Sequence, residues 1–326
     1  MIKTFITLLL AIVALFALGC EPQNPADPYT PPDEILVYLA DKMNNLVICY
    51  DYDGEHQVRT PDFVRPTDLD IREGIDHLWV ADYSNDRVLK LNYGLNSLAW
   101  SAAGVVNDPY TVTTTTDAGC WVADRVNLGF VRFDTDAKEV ARVTCSGPTR
   151  LVAWDSVNEL CWAADENGNL FAFPDSLTGD YDATAATVTV TGLGTPRGLV
   201  VDSDNGRVWY SSKDADRVIC FDTGGTQLFV VEDLDDPRGL AIDENGDCWV
   251  ALYAGRAAVL LDGDDGAEKE RFDNLNGPVD VAANPGGGVW VVDESEGLLL
   301  RLRNGVEELR LDGFTQPSAV ALYNPK

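Results

Sequence analysis

Histidine is scarce in this chain, and basic residues are few beside the acidic ones. Twenty-four Lys and Arg stand against 53 Asp and Glu in 326 residues, a formal charge of −29. A field of that sign repels nucleic acid and anionic lipid head groups, so no nucleic-acid partner is expected. Only His56 and His77 are present, and there is neither a C-x-x-C pair nor a Cys/His pairing of the kind zinc requires. The nucleophile elbow G-x-S-x-G and the metalloprotease helix H-E-x-x-H are also missing. The acidic turns "DYDGE", "DGDDG" and "DENGD" lack the ligand spacing of an EF-hand loop. Gly, Asn and Asp tolerate left-handed backbone, so these segments read as hairpin turns. What is present is 45% apolar composition, ample for a packed core, with no helical period to organise it.

The first segment, "MIKTFITLLLAIVALFALGC", has a single Lys3, an apolar run short for a membrane span, and small residues before Cys20. It reads as an export signal over residues 1–20. Its ending "ALGC" resembles the lipobox of bacterial lipoproteins, with Ala17 where Leu is commoner, and that resemblance implies acylation of Cys20. Residues 21–34 are rich in Pro and acidic side chains and read as an extended tether. The expectation is a globular domain over residues 35–326, monomeric, in the bacterial cell envelope, attached to the membrane through its lipid alone.

Six further cysteines, Cys49, Cys120, Cys145, Cys161, Cys220 and Cys248, permit disulfides in an exported chain. Yet Cys120, Cys161 and Cys248 each precede a Trp of one repeating unit, and Cys49 and Cys220 each follow Ile in a strand. Equivalent positions of successive repeats lie a whole unit apart, which favours small buried residues over staples.

The repeat is marked by Trp79, Trp121, Trp162, Trp209, Trp249 and Trp290, spaced 42, 41, 47, 40 and 41 residues apart, with Tyr38 as a seventh member 41 before Trp79. Periods of this size mean a propeller or a solenoid. Each unit runs from a Pro-led strand ("PRGLVVD", "PRGLAID") through a Gly/Asn/Asp turn to a Trp strand, an "AD" corner, a second strand such as "RVLKLN" and a polar segment. Four short strands without helical period make a β-propeller blade. The Pro-led strand recurs at Pro66, Pro109, Pro148, Pro196, Pro237, Pro278 and Pro317, so the chain starts mid-unit and ends on a lone first strand. The expected fold is all-β, a seven-bladed propeller of four-stranded antiparallel blades. The C-terminal strand joins the N-terminal blade and removes its open edge.

"GLAIDENGDCWVA" and "LWVADYSNDRVLKLN" resemble NHL-type repeats over residues 35–326. Their seven copies are closer to the streptogramin-lyase-like arrangement than to the six-bladed form. Propellers of this kind include binding scaffolds, sensors, lyases and lactonases. Streptogramin lyases rely on histidine, which the resemblance would require at the channel rim. Here His77 and His56 are expected in surface turns on the opposite face.

Where the inner strand begins and the second and third strands meet, one face of a propeller surrounds the channel mouth. The corner position carries Asp41, Asp82, Asp124, Asp165, Ser212, Leu252 and Asp293. Seven corners are too widely spread to share one cation, so the Asp side chains are expected to fix their own turns. The ring of Asp fails at Ser212 and Leu252, and the same two blades carry Arg197 and Arg238 directly after their Pro. Lys213 and Arg256 add charge from the corners, Arg150 enters from the blade before, and Tyr110 flanks the group. Two readings follow: a notch that binds a carboxylate or acidic sugar through arginine forks, or arginines that pair locally with acids such as Asp214 or Asp236.

The function expected from the sequence is a non-catalytic recognition scaffold for a protein or an anionic small molecule or glycan, with no catalytic residue and no cofactor. The alternative is a metal-dependent lactonase or lyase, with calcium or magnesium on Asp68 and Asp280.

Overall fold

The computed structural model describes residues 34–325, apart from His56 and Glu73. The expected signal, Cys20, residues 21–33 of the tether and the turn residue His56 therefore lie outside the described residues. Among the described residues no helix is long and apolar enough to cross a membrane.

Seven sheets stand in a ring. Their inner strands are Pro66–Ile71, Pro109–Thr114, Thr149–Asp155, Pro196–Asp202, Pro237–Ile242 and Pro278–Ala283 in blades 2 to 7, and Pro317–Tyr323 in blade 1. That last strand pairs antiparallel with Leu36–Asp41, bringing Tyr38 opposite Ala321. The chain thus closes the ring with its own end, as the offset of the repeat predicts.

The repeat aromatics hold neighbouring blades together. Trp79, Trp121, Trp162, Trp209, Trp249, Trp290 and Tyr38 are at most 1% exposed. Each packs on the blade that follows it: Trp79 against Val112 and Cys120, Trp249 against Val281 and Val289, Trp290 against Val37 and Ile48 of blade 1. Large flat side chains bury much apolar area at one interface, so the 41-residue rhythm is a rhythm of interfaces. All six cysteines among the described residues are free and buried in these layers.

Two features depart from the regular unit. The 47-residue interval after Trp162 holds an excursion in which Gly179–Asp182 crosses to blade 3 and pairs parallel with Glu139–Thr144 as a fifth strand. In blade 4 the inner strand starts at Thr149, not at Pro148. Thr149 faces the corner residue Asp165 just as Pro196 faces Ser212 and Pro66 faces Asp82.

Candidate functional site: the channel mouth

The Asp corners are buried posts that fix their own turns, accepting from Asn44, Asn85, Asn127, Asn167 and the Glu296 N–H, and most of them also reach beyond the turn. Asp82 accepts the Val64 N–H at 2.8 Å, Asp124 that of Asn107 at 2.8 Å, and Asp41 that of Thr315 at 3.0 Å. Each donor lies two residues before the inner-strand Pro, so the carboxylate clamps the incoming chain. Asp293 does the same for Asn276 and Gly277. Only Asp165 is confined to its own turn, accepting from Asn167 and Asn169. Where the ring fails, Leu252 joins the apolar core, while the Ser212 hydroxyl is buried without a partner. Facing it in register is Arg217, whose Nε is also buried and unpaired.

The first level of the channel follows from register. In every blade the inner strand bulges directly after its corner pair, which places Thr67, Tyr110, Arg150, Arg197, Arg238, Val279 and Ser318 at one height. Arg150 therefore belongs to the same position as Arg197 and Arg238, a match hidden by Pro148. Tyr110 and the three arginines come from four consecutive blades and fill one half of the mouth. The other half carries short side chains, and two of these turn into inter-blade ties: Thr67 donates to Pro109 O at 3.2 Å and Ser318 to Pro66 O at 3.1 Å.

The arginines differ in what they hold. Arg150 lies 4.5 Å over the Tyr110 ring, donates to its hydroxyl at 2.9 Å, and pairs with Glu166 at 3.2 Å. Arg238 stacks 3.4 Å over Tyr253 and pairs with Asp236 at 2.9 Å. Local pairing with an acid thus holds for Arg238, whereas Asp214 is taken by the Thr195 hydroxyl. Arg197, between them, makes no hydrogen bond or ion pair among the described residues. Burial, and then the charges of Arg150 and Arg238, press its guanidinium pKa down, against opposing pulls from Tyr110 and Asp236. An anion placed there would offset the repulsion among the three cations.

Glycine sets this spacing. A Cβ on Gly198 would run into the carbonyl of Arg238, and one on Gly239 into Asp280 and the Val279 carbonyl. The inner strands of blades 5, 6 and 7 approach closely only because the "PRG" wording omits that atom.

Lys213 and Arg256 do not join the cluster. Lys213 is half-buried at its corner, where its backbone N–H donates to Thr195 O at 3.0 Å. Arg256 is exposed, takes a left-handed φ of 54°, and spends its Nε on Leu275 O at 3.0 Å. Residues that the sequence reading missed are Glu166 and Tyr253. Both follow a corner position directly, as do Tyr83 and Arg125, and comparing that position across units would have found them.

One level below the mouth, Asp68 and Asp280 lie in blades 2 and 7, with Asp280 beside the Arg238–Gly239 strand of blade 6. Asp68 accepts the Val112 N–H at 2.9 Å and Asp280 the Val320 N–H at 2.8 Å, each tying its blade to the next in the ring. Burial pushes both carboxyls up: Asp280 to about 7, and Asp68 well above the carboxylate range, with Asp280 and Asp70 adding repulsion. Calcium and magnesium want six or more oxygen ligands. Two carboxyls that already hold backbone N–H groups supply too few oxygens for such an ion. Among the described residues no three His, Cys, Asp or Glu side chains are grouped as a metal site.

His77 corrects an expectation. It is 1% exposed, inside the strand His77–Asp82, and not in a surface turn. Its ring bonds Asp76 at 2.8 Å and the Ala118 carbonyl of blade 3 at 2.9 Å, and burial lowers its pKa. It lies at the end of the strand away from the corner, so it is an inter-blade tie.

Solved structures share this architecture. Virginiamycin B lyase from Staphylococcus aureus superposes with a TM-score of 0.63 at 12% identity, over 76% of this chain and 84% of its own. The fold is that of the streptogramin B lyases. A putative 6-phosphogluconolactonase from Bacteroides uniformis gives 0.72 at 13% identity, over 90% and 100%. No family model matches the sequence. Pentonolactonase XacC from Haloferax volcanii is 32% identical over 167 residues, 46% of this chain and 53% of that protein, so the chain spans about half the length of this curated relative.

Proposed function

We propose that this propeller binds an anionic ligand, a carboxylate or an acidic sugar, at the channel mouth, with Arg197 as its anchor. The observation that carries the reading is the contrast among three equivalent arginines. Arg150 and Arg238 are held in place by Tyr110 with Glu166 and by Tyr253 with Asp236. Arg197, half-buried between them, makes no side-chain hydrogen bond or ion pair among the described residues and feels the charge of both neighbours. A guanidinium fork in that state is matched by a bidentate carboxylate. Calorimetric titration with galacturonate tests this: Arg197→Ala is expected to weaken binding by roughly tenfold or more. Equal affinity in parent and variant would sink the reading.

A second reading, lactone hydrolysis, is favoured by Asp280 and by the partial similarity to a pentonolactonase. A carboxyl near 7 is suited to general base work at neutral pH. Asp280 would take a proton from water as the water oxygen attacks the lactone carbonyl; the ring C–O bond then breaks as Asp280 returns that proton to the departing ring oxygen, and Arg197 would hold the carboxylate formed. Acid release from a pentonolactone should then rise as pH passes 7 and be abolished by Asp280→Asn. A rate unchanged in that variant removes Asp280 from the chemistry.

A further inference from the structure

The arginine–tyrosine contacts do not stop at the channel. Tyr110 meets Tyr83 edge to face, with ring centroids 6.3 Å apart. Tyr83 is half-buried directly after the blade 2 corner, and Arg65 lies over it at 5.5 Å. Arg65 itself is exposed and immediately precedes the inner-strand Pro66; its N–H is held by Asn45 of blade 1 at 2.9 Å. A continuous line therefore runs from Arg197 in the channel through Arg150, Tyr110 and Tyr83 to Arg65 on the outer mouth face. Along it two guanidiniums give way to two phenol rings and then to a third guanidinium, with 4.5 Å from Arg150 to the Tyr110 ring, 6.3 Å between the rings and 5.5 Å from the Tyr83 ring to Arg65.

We infer that this line is an extended binding site for an acidic oligosaccharide, a chain of uronic acid units that starts at Arg197 and leaves the channel over blades 3 and 2. The inference rests on the carboxylate reading of Arg197 and adds a polymeric ligand and a path. Uronic acid units present what the line asks for: planar carboxylates for the guanidiniums of Arg197 and Arg65 at its two ends, and apolar C–H faces for the tyrosine rings between them. Tyrosines suit such contacts because they offer rigid amphipathic area at little entropic cost. The overall charge of −29 repels a polyanion at a distance. At physiological ionic strength that field decays over about 8 Å, so contacts along the line decide the outcome. An acidic peptide has the charge without the ring faces.

The test is calorimetry on the full chain with galacturonate, trigalacturonate and hexagalacturonate, and with hexaglutamate as the charge-matched peptide. Affinity is expected to rise by roughly tenfold or more from monomer to trimer, as successive subsites are engaged by one ligand. Arg65→Ala should flatten that rise and leave monomer affinity within about twofold, because Arg65 contacts Tyr83 and Asn45 and not the channel subsite. Arg65 is exposed, and circular dichroism checks that the fold is intact. Affinity that does not depend on length, or equal affinity for hexaglutamate, overturns the extended site and leaves the channel site standing. Failure of the parent to bind any uronate, or monomer binding that Arg197→Ala does not change, overturns both.

Discussion

At Asp280 burial holds the carboxyl near 7, while in an unfolded chain it would ionise near 4. The sign follows from proton counts. Between about pH 4 and 7 the folded state binds the extra proton, so this residue's contribution to stability falls as pH rises through that window. Asp280→Asn keeps an acceptor for the Val320 N–H and removes the ionisation. The variant should lose that part of the pH dependence and melt above the parent at pH 8, by at least about 1 kcal/mol of stability. Thermal melts at pH 5 and pH 8 check it; identical pH profiles in parent and variant would refute the assignment. Ser212 allows the opposite kind of repair. Its hydroxyl and the facing Arg217 Nε are both buried without partners, whereas in blade 2 the equivalent Asp82 accepts from Arg87 at 2.7 Å. Ser212→Asp should gain about 1 kcal/mol in chemical denaturation.

At the scale of the element, the inner strand shows what was legible and what was not. The Pro-led strand, the aromatic strand and their number could be read directly, because Trp, Pro and the Asp corner recur with the unit. The register of blade 4 could not: Pro148 occupies the expected wording, yet the bulge sits one residue on and makes Arg150 equivalent to Arg197. His77 was misjudged for a related reason, since a strand end and a turn look alike in sequence while one packs against the next blade. The Asp corners were read as turn posts, which they are, but most of them also clamp the chain arriving from the previous blade, a tertiary relation that spacing alone does not reveal. The aromatic strand gives the element's clearest energetic prediction. Trp249 fills the interface with blade 7, so Trp249→Ala should cost about 3 to 5 kcal/mol. An unfolding midpoint within error of the parent would contradict that role.

On the scale of the whole molecule, pseudo-sevenfold symmetry is broken chemically and not architecturally. The backbone repeats around the ring, while Arg and Tyr side chains occupy the mouth over blades 3 to 6 and carboxyls occupy the next level down in blades 7 and 2. A reader of the sequence could place the cationic half because its arginines follow a marked Pro. The asymmetry of the mouth as a whole needed the register of all seven strands. Closure is also a property of this scale. Deleting the strand Pro317–Tyr323 should bare the edge of Leu36–Asp41, and the truncated chain should associate on size-exclusion chromatography while the full chain does not.

That closing strand also sets an order of events. Ser318 reaches Ala40 across 278 residues of chain, and the pairing of first and last strands is the most non-local contact of the ring. Each other blade can form from one continuous stretch as the chain is made, but blade 1 must wait, incomplete, for the final residues. The slowest step of folding is then this last docking. Until it occurs the molecule is a six-bladed arc with three strands of blade 1 hanging open, and a protease or a second copy has its best opportunity there.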